Sequence, residues 1–250
     1  MQVVVQDLVT NCDLSGKGKL VLLLHGWGDN LHGLRNLHKT LSSKYQVLSL
    51  DLPGFGNTDA PTTVWGLDEY GKFVAALLKK LELKQPYAVI GHSNGGAIAI
   101  RMVAQGLLNP ERIILIAASG IRSDQSVRRL AFQVIAKTGN IATAWLPERY
   151  RGVLRRSLYG AAGSDLYVMP QLQETFKKTV RQDVQVDAEK IHIPTLLIYA
   201  RDDDIVPLSY GRRYHHLIND SILAIIESGG HFVHQKQPTQ VLEHIERFLA

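Results

Sequence analysis

One serine in this 250-residue chain stands where a nucleophile can be made. Ser93 lies in Tyr87-Ala88-Val89-Ile90-Gly91-His92-Ser93-Asn94-Gly95-Gly96-Ala97. An apolar run enters, a glycine-flanked turn follows, and a helical pattern leaves. Such a turn presents the serine hydroxyl at the end of a strand. The flanking glycines have a steric reason. A nucleophile at so sharp a turn sits in a strained backbone conformation, and side chains at 91 and 95 would strike neighbouring segments. Gly96 and Ala97 let the departing helix pack closely. The plainer use of Ser93 is as a helix N-cap.

A serine hydroxyl is a weak nucleophile until a base removes its proton. With ten histidines present, position decides. His231, in Ser228-Gly229-Gly230-His231-Phe232 after the last strand pattern, is the expected base. His234, just before the final helical pattern, is second, at a place where a solvated role is more usual. His25, His92, His215, His216 and His234 otherwise read as surface or packing residues. The imidazolium formed during attack needs a carboxylate on its other nitrogen. That acid should follow the strand pattern 195–199, where Asp202, Asp203 and Asp204 stand together. Residue type does not choose among them, and at least one belongs to a solvated acidic turn. Developing negative charge needs backbone N–H donors. Asn94, after the serine, offers one. The loop His25-Gly26-Trp27-Gly28-Asp29 offers another, from Trp27, with Gly26 and Gly28 letting it bend close. The Trp27 ring reads as pocket wall or as core aromatic. This chemistry requires no metal and no cofactor.

The elements that must position these residues alternate. Segments 20–24, 46–50, 87–90 and 112–117 read as strands buried on both faces, as a parallel sheet demands. Helical spacing fills 31–41, 67–83 and 96–107 between them. From about residue 121 the strand pattern stops, and 127–135, 147–159 and 166–180 are expected helices. Strands resume at 195–199 and 222–226, and a last helix covers 238–249. The expected fold is therefore α/β: a doubly wound, mostly parallel sheet built from 1–120 and 189–250. Residues 121–188 form an inserted helical cap over the carboxyl ends of the strands, where open α/β sheets bind ligands.

Composition narrows the function classes. Hydrophobic residues make up 45% and charged residues 20% of the chain, ordinary for a globular protein. No apolar run approaches the roughly 18 residues of a membrane span. The N-terminus carries no basic leader, so neither a signal peptide nor stable membrane insertion is expected. Cys12 has no partner for a disulfide and no metal-ligand spacing around it; it reads as idle, and a reducing cytoplasm fits. The net charge of +5 falls in the insertion, where eleven Lys or Arg face six acids. Among them Arg128, Arg129, Arg151, Arg155 and Arg156 read as a solvated helix surface, with steering of anionic substrates or membrane surfaces as the sharper alternative. The adjacent pairs do not all face one way on a helix. No recognition motif accompanies the charge, so nucleic acid is not an expected partner. A small-molecule substrate is. Oligomeric state is left open.

These segments together resemble the α/β-hydrolase superfamily, specifically its capped, esterase-like branch, over roughly 180 residues of sheet domain. His25-Gly26-Trp27-Gly28 is similar to that family's oxyanion motif. Asp51-Leu52-Pro53-Gly54-Phe55-Gly56-Asn57-Thr58 resembles its D-x-P-G-x-G-x-S loop, with Thr58 where serine is commoner. Ile193 to Ile198 leads into Asp203-Asp204-Ile205-Val206-Pro207, which resembles the D-x-x-V-P acid motif and so selects Asp203. Gly230-His231-Phe232 through Gln237-Pro238 resembles the histidine motif. Ala200 replaces a frequent glycine and Lys236 a frequent acid; neither touches the chemistry. The resemblance implies a serine hydrolase with Ser93, His231 and Asp203 as triad and Trp27 and Asn94 as oxyanion donors. Its most expected reaction is carboxylic ester hydrolysis through an acyl-enzyme. Carbon–carbon, lactone or amide hydrolysis with the same triad is the alternative, and a low-turnover ligand-binding protein is a third. Relatives that use Asp as nucleophile, the haloalkane dehalogenases and epoxide hydrolases, are disfavoured by Ser93.

Overall fold

A computed structural model describes residues 1–122 and 172–250. The strands are β1 (Gln2–Val5), β2 (Leu8–Ser15), β3 (Leu20–Leu24), β4 (Gln46–Leu50), β5 (Ala88–His92), β6 (Arg112–Ile116), β7 (Thr195–Ala200) and β8 (Ser221–Ile226). They form one sheet in the order β1-β2-β4-β3-β5-β6-β7-β8. The pairings β1·β2 and β2·β4 are antiparallel; all others are parallel. The described helices are α1 (Arg35–Leu41), α2 (Leu67–Lys80), α3 (Asn94–Ala104), α4 (Gln173–Arg181), α5 (Gln185–Ala188), α6 (Leu208–Leu217), α7 (Val233–Lys236) and α8 (Pro238–Leu249).

The central strands are apolar throughout because both faces are covered. On β3, Leu22 and Leu24 enter one core with Tyr70, Phe73 and Leu77 of α2, Ile98 and Met102 of α3, and Tyr214 of α6. Val21 and Leu23 enter the other with Leu37 and Leu41 of α1 and Val241 and Ile245 of α8. Successive side chains of a strand point to opposite faces, so this division is the period of two made visible. It makes the sheet doubly wound, as the sequence pattern implies.

The N-terminal hairpin was not part of the sequence expectation. β1 and β2 pair through a turn in which Gln6 and Asp7 have φ of 48° and 64°. Val4 and Val9, directly opposite each other, are both exposed. Half-exposed strands with polar residues interleaved lack the continuous apolar run that marks the inner strands. Cys12 is buried in β2, and burial pushes its thiol up.

The strand order sets where a site can form. The chain runs from β3 outward to β4 on one side, then crosses to β5 on the other. Ligand crevices of open α/β sheets lie at such a reversal, beyond the carboxyl ends. The loops after β3 and β5 are thereby neighbours; the loop after β7 lies two strands from that after β5, and the loop after β8 three. Of the expected cap, α4 and α5 are described and dock on the sheet domain. Leu67 N–H donates to Gln182 Oε1 (2.7 Å), Val184 N–H to Gly120 O (2.8 Å), and Arg101 pairs with Asp187 (2.6 Å). The expected helices 127–135 and 147–159, and with them Arg128, Arg129, Arg151, Arg155 and Arg156, lie outside the described residues. Among the described residues no helix is long and apolar enough to cross a membrane.

The two-sided core yields a contrast. Leu22→Ala, at a fully buried position, is expected to lower the unfolding free energy by about 2–5 kcal/mol in a urea titration. Ile222→Ala, on edge strand β8 and 59% exposed, should change it by no more than about 0.5 kcal/mol. Equal losses would contradict the layering.

Candidate active site

Ser93 sits between β5 and α3 with φ 50° and ψ −116°. A non-glycine residue held there is strained by about 1–3 kcal/mol and persists only where its surroundings over-determine it. They do. Ser93 N–H donates to Ile116 O (3.0 Å), while Ser93 O accepts from Gly96 N–H (3.0 Å) and Ser119 N–H (3.1 Å). The flanking glycines answer to close approach. A Cβ at Gly91 would lie 2.6 Å from Gly95 O, and one at Gly95 would run into the main chain of Leu24 and His25.

The loops after β7 and β8 bring two more side chains to the hydroxyl. Ser93 Oγ lies 2.9 Å from His231 Nε2. His231 Nδ1 lies 3.0 Å from Asp203 Oδ2. The other Asp203 oxygen accepts from the N–H groups of Ile205 (2.8 Å) and Val206 (2.9 Å). The Asp203 side chain is fully buried and that of His231 is 9% exposed. A carboxylate on Nδ1–H leaves Nε2 as the free acceptor facing Ser93.

The three neighbouring aspartates separate by their contacts. Asp202 accepts from Gly229 N–H (3.2 Å) and Gly230 N–H (2.8 Å), the two residues before His231. The Gly230 and Gly229 amides hold its carboxyl below the usual range. Both glycines have positive φ, 145° and 59°, so Asp202 pins a turn that few other residues could make. Asp204 is exposed, as is Asp202, but the Asp204 side chain has no hydrogen bond among the described residues. Sequence pattern did not reveal the Asp202 brace, since it depends on a hydrogen bond to a loop 27 residues away.

The loop after β3 lies beside Ser93. Neither the Trp27 nor the Asn94 backbone N–H has a partner among the described residues, and Asn94 opens α3. The N–H groups of a first helical turn have no intrahelical acceptor. The Trp27 ring is half-buried between Phe55 (centroids 4.9 Å apart) and Phe176 of α4 (5.1 Å). It packs against the core as an aromatic, between a loop of the sheet and α4.

Two further residues hold this loop. His25 is fully buried. Its Nε2 accepts from Leu52 N–H (2.9 Å) and its Nδ1 lies 2.7 Å from Gly26 O, so Nδ1 carries the proton. Burial keeps the imidazole below its usual range and therefore neutral. Asp51 accepts from Leu31 N–H (2.7 Å), Asn57 N–H (2.9 Å) and Asn11 Nδ2 (2.8 Å), tying three segments to the end of β4.

Histidine placement corrects part of the sequence expectation. His215 and His216 are exposed, as a surface role requires. His234 is only 1% exposed rather than solvated, and it is His231 that reaches Ser93. His92 is buried with it; the two rings are tilted by 53° at a centroid distance of 4.3 Å. Both side chains are polar groups enclosed by loops that meet only in the folded chain, which single-sequence periodicity does not register.

Residues 21–244 match the model of the alpha/beta hydrolase family. The chain is 26% identical to 2-hydroxy-6-oxo-2,4-heptadienoate hydrolase of Pseudomonas putida, over 96% of this chain and 92% of the relative. It is 26% identical to pimeloyl-[acyl-carrier protein] methyl ester esterase of Neisseria meningitidis, over 93% and 91%. The crystal structure of a bromoperoxidase from Bacillus anthracis superposes with a TM-score of 0.78 at 24% identity, covering 100% of this chain and 99% of that one.

The Asp202 brace predicts a difference in reactivity between neighbours. Asp202→Ala is expected to slow labelling of Ser93 by a fluorophosphonate by about tenfold, because a small misplacement of His231 weakens the pair. Asp204→Ala should label at the wild-type rate. Equal rates for the two variants would remove the brace.

Proposed function

The chain belongs to the alpha/beta hydrolase family, and from that membership we propose that it hydrolyses a carboxylic ester of a small molecule through an acyl-enzyme on Ser93. The observation that carries the proposal is the continuous chain Ser93–His231–Asp203, with contacts of 2.9 and 3.0 Å. In this reaction His231 Nε2 takes the Ser93 proton as Oγ attacks the carbonyl carbon. Asp203, buried and held by two backbone amides, stabilises the imidazolium and keeps its proton on Nδ1. The Trp27 and Asn94 N–H groups receive the oxyanion. His231 then protonates the leaving alcohol. Water enters with the same base, and the acid product leaves Ser93 free. No metal or cofactor takes part in these steps. The similarity to a methyl ester esterase supports the choice of bond.

Cleavage of a carbon–carbon bond is the second reading, favoured by the similarity to a 2-hydroxy-6-oxo-2,4-heptadienoate hydrolase. The same residues would serve it. Trp27, between Phe55 and Phe176, makes the wall that a substrate would meet beside Ser93.

A substrate panel separates the two readings. Activated esters of graded acyl length should turn over, and 2-hydroxy-6-oxo-dienoates should not; the reverse preference would replace the ester assignment by the carbon–carbon one. With the preferred substrate, Ser93→Ala should abolish turnover, and Asp203→Asn should lower kcat by about 10³–10⁴-fold. Wild-type turnover by Ser93→Ala would end the serine mechanism under either reading.

A further inference from the structure

Three buried groups behind Ser93 and His231 have no role in the chemistry above. Asp29, His92 and His234 are 6%, 1% and 1% exposed. One ligand-type atom from each lies within 4.8 Å of the other two. Asp29 Oδ2 and His92 Nδ1 have no hydrogen-bond partner among the described residues, and the His234 ring has no well-formed one, the Gly33 main chain alone approaching it. Buried polar atoms nearly always find one. Unpartnered atoms that converge on one point call for an occupant.

His92 indicates its sign. His92 Nε2 lies 2.9 Å from the main-chain oxygen of His231 and must carry the proton that bridges them. His92 Nδ1 is therefore left as a bare, buried lone pair. Asp29 Oδ2 is an acceptor too, its partner oxygen being occupied by Asn30 N–H at 2.8 Å. Two acceptors and a second imidazole suit a cation. The walls are glycine: a Cβ at Gly26 would lie 2.9 Å from His92 Nδ1, and one at Gly33 would run into the Asp29 carboxylate.

We propose that Asp29, His92 and His234 form a site for one divalent transition-metal ion of the zinc class. Two imidazole nitrogens and one carboxylate oxygen are a donor set such ions take, at about 2.0–2.2 Å from the metal. Tetrahedral ligation puts donor atoms roughly 3.4 Å apart; the present atoms lie within 4.8 Å of one another, so binding an ion draws the three side chains together. Metal binding requires unprotonated ring nitrogen, and His92 supplies one at Nδ1 because its proton lies on Nε2.

The placement gives the ion a purpose. Asp29 comes from the loop after β3 that carries Trp27, His92 from the end of β5 beside Ser93, and His234 from the segment that carries His231. One ion there cross-links the three loops that meet at the hydroxyl. This role is structural and holds for ester and carbon–carbon chemistry alike.

The test uses the full chain stripped with a chelator, then titrated with Co²⁺ and Zn²⁺ by calorimetry and visible absorption. One ion per chain is expected, with Co²⁺ bands of a four-coordinate site and a rise in Tm on adding Zn²⁺. His234→Gln and Asp29→Asn should each weaken Zn²⁺ binding by more than the roughly 10–100-fold that altering outer partners produces. His215→Gln, on the exposed side of α6, should bind as wild type does. X-ray absorption of the Zn²⁺-loaded wild type should report two imidazole ligands, which decides the matter if a variant fails to fold. Absence of saturable binding by the wild type overturns the proposal and leaves a water or a shared proton in the cluster. So does unchanged binding by folded His234→Gln and Asp29→Asn.

Discussion

The carboxyl edge of this sheet depends on one backbone constraint: Ser93 must reverse the chain from strand to helix in a conformation that L-residues avoid. Its φ of 50° is held by four main-chain hydrogen bonds, to Ile116 of β6, to Ser119 just beyond it, and to Gly96 and Ala97 in α3. That geometry forces glycine at 91 and 95, since the departing helix passes within contact of the entering strand and of the Leu24–His25 main chain. Strain of this kind concentrates where a sheet must present one atom to a ligand.

The remaining loops are then fixed to the elbow by buried polar groups rather than by apolar packing. Neutral His25 joins the loop after β3 to the one after β4. Asp51 gathers three further segments. Asp202 pins the turn before His231, and His92 Nε2 donates to the His231 main chain just behind its ring. Loss of either partner in such a contact exposes a desolvated donor or acceptor, a larger cost than the bond itself is worth. The edge is therefore stiff, and the Ser93–His231–Asp203 distances follow from it.

Much of this was legible in the chain before any coordinates. The inner strands, the elbow and the strand–helix alternation rest on local pattern, which periodicity and turn chemistry report directly; His231 stands out among ten histidines through the chain order serine, acid, histidine of the family the sequence resembles. Asp203 was separable from Asp202 and Asp204 only by resemblance, because three adjacent carboxylates differ in nothing but the direction they point. The hairpin β1–β2 escaped notice because its half-exposed strands break the apolar run. His25, His92 and His234 were placed among surface or packing residues because a histidine's burial depends on which loops close over it. The helices expected at 127–135 and 147–159 lie outside the described residues.

The central claim is that Ser93 becomes covalently acylated during turnover. Rapid quenching in acid after mixing with an activated ester, followed by mass spectrometry of the intact chain and its peptides, tests this most directly. The account predicts a burst of one equivalent of leaving group per chain and an acyl mass increment confined to the peptide containing Ser93, absent from Ser93→Ala. Ester turnover with neither burst nor increment in wild type, or an acyl group on any other residue, would contradict it.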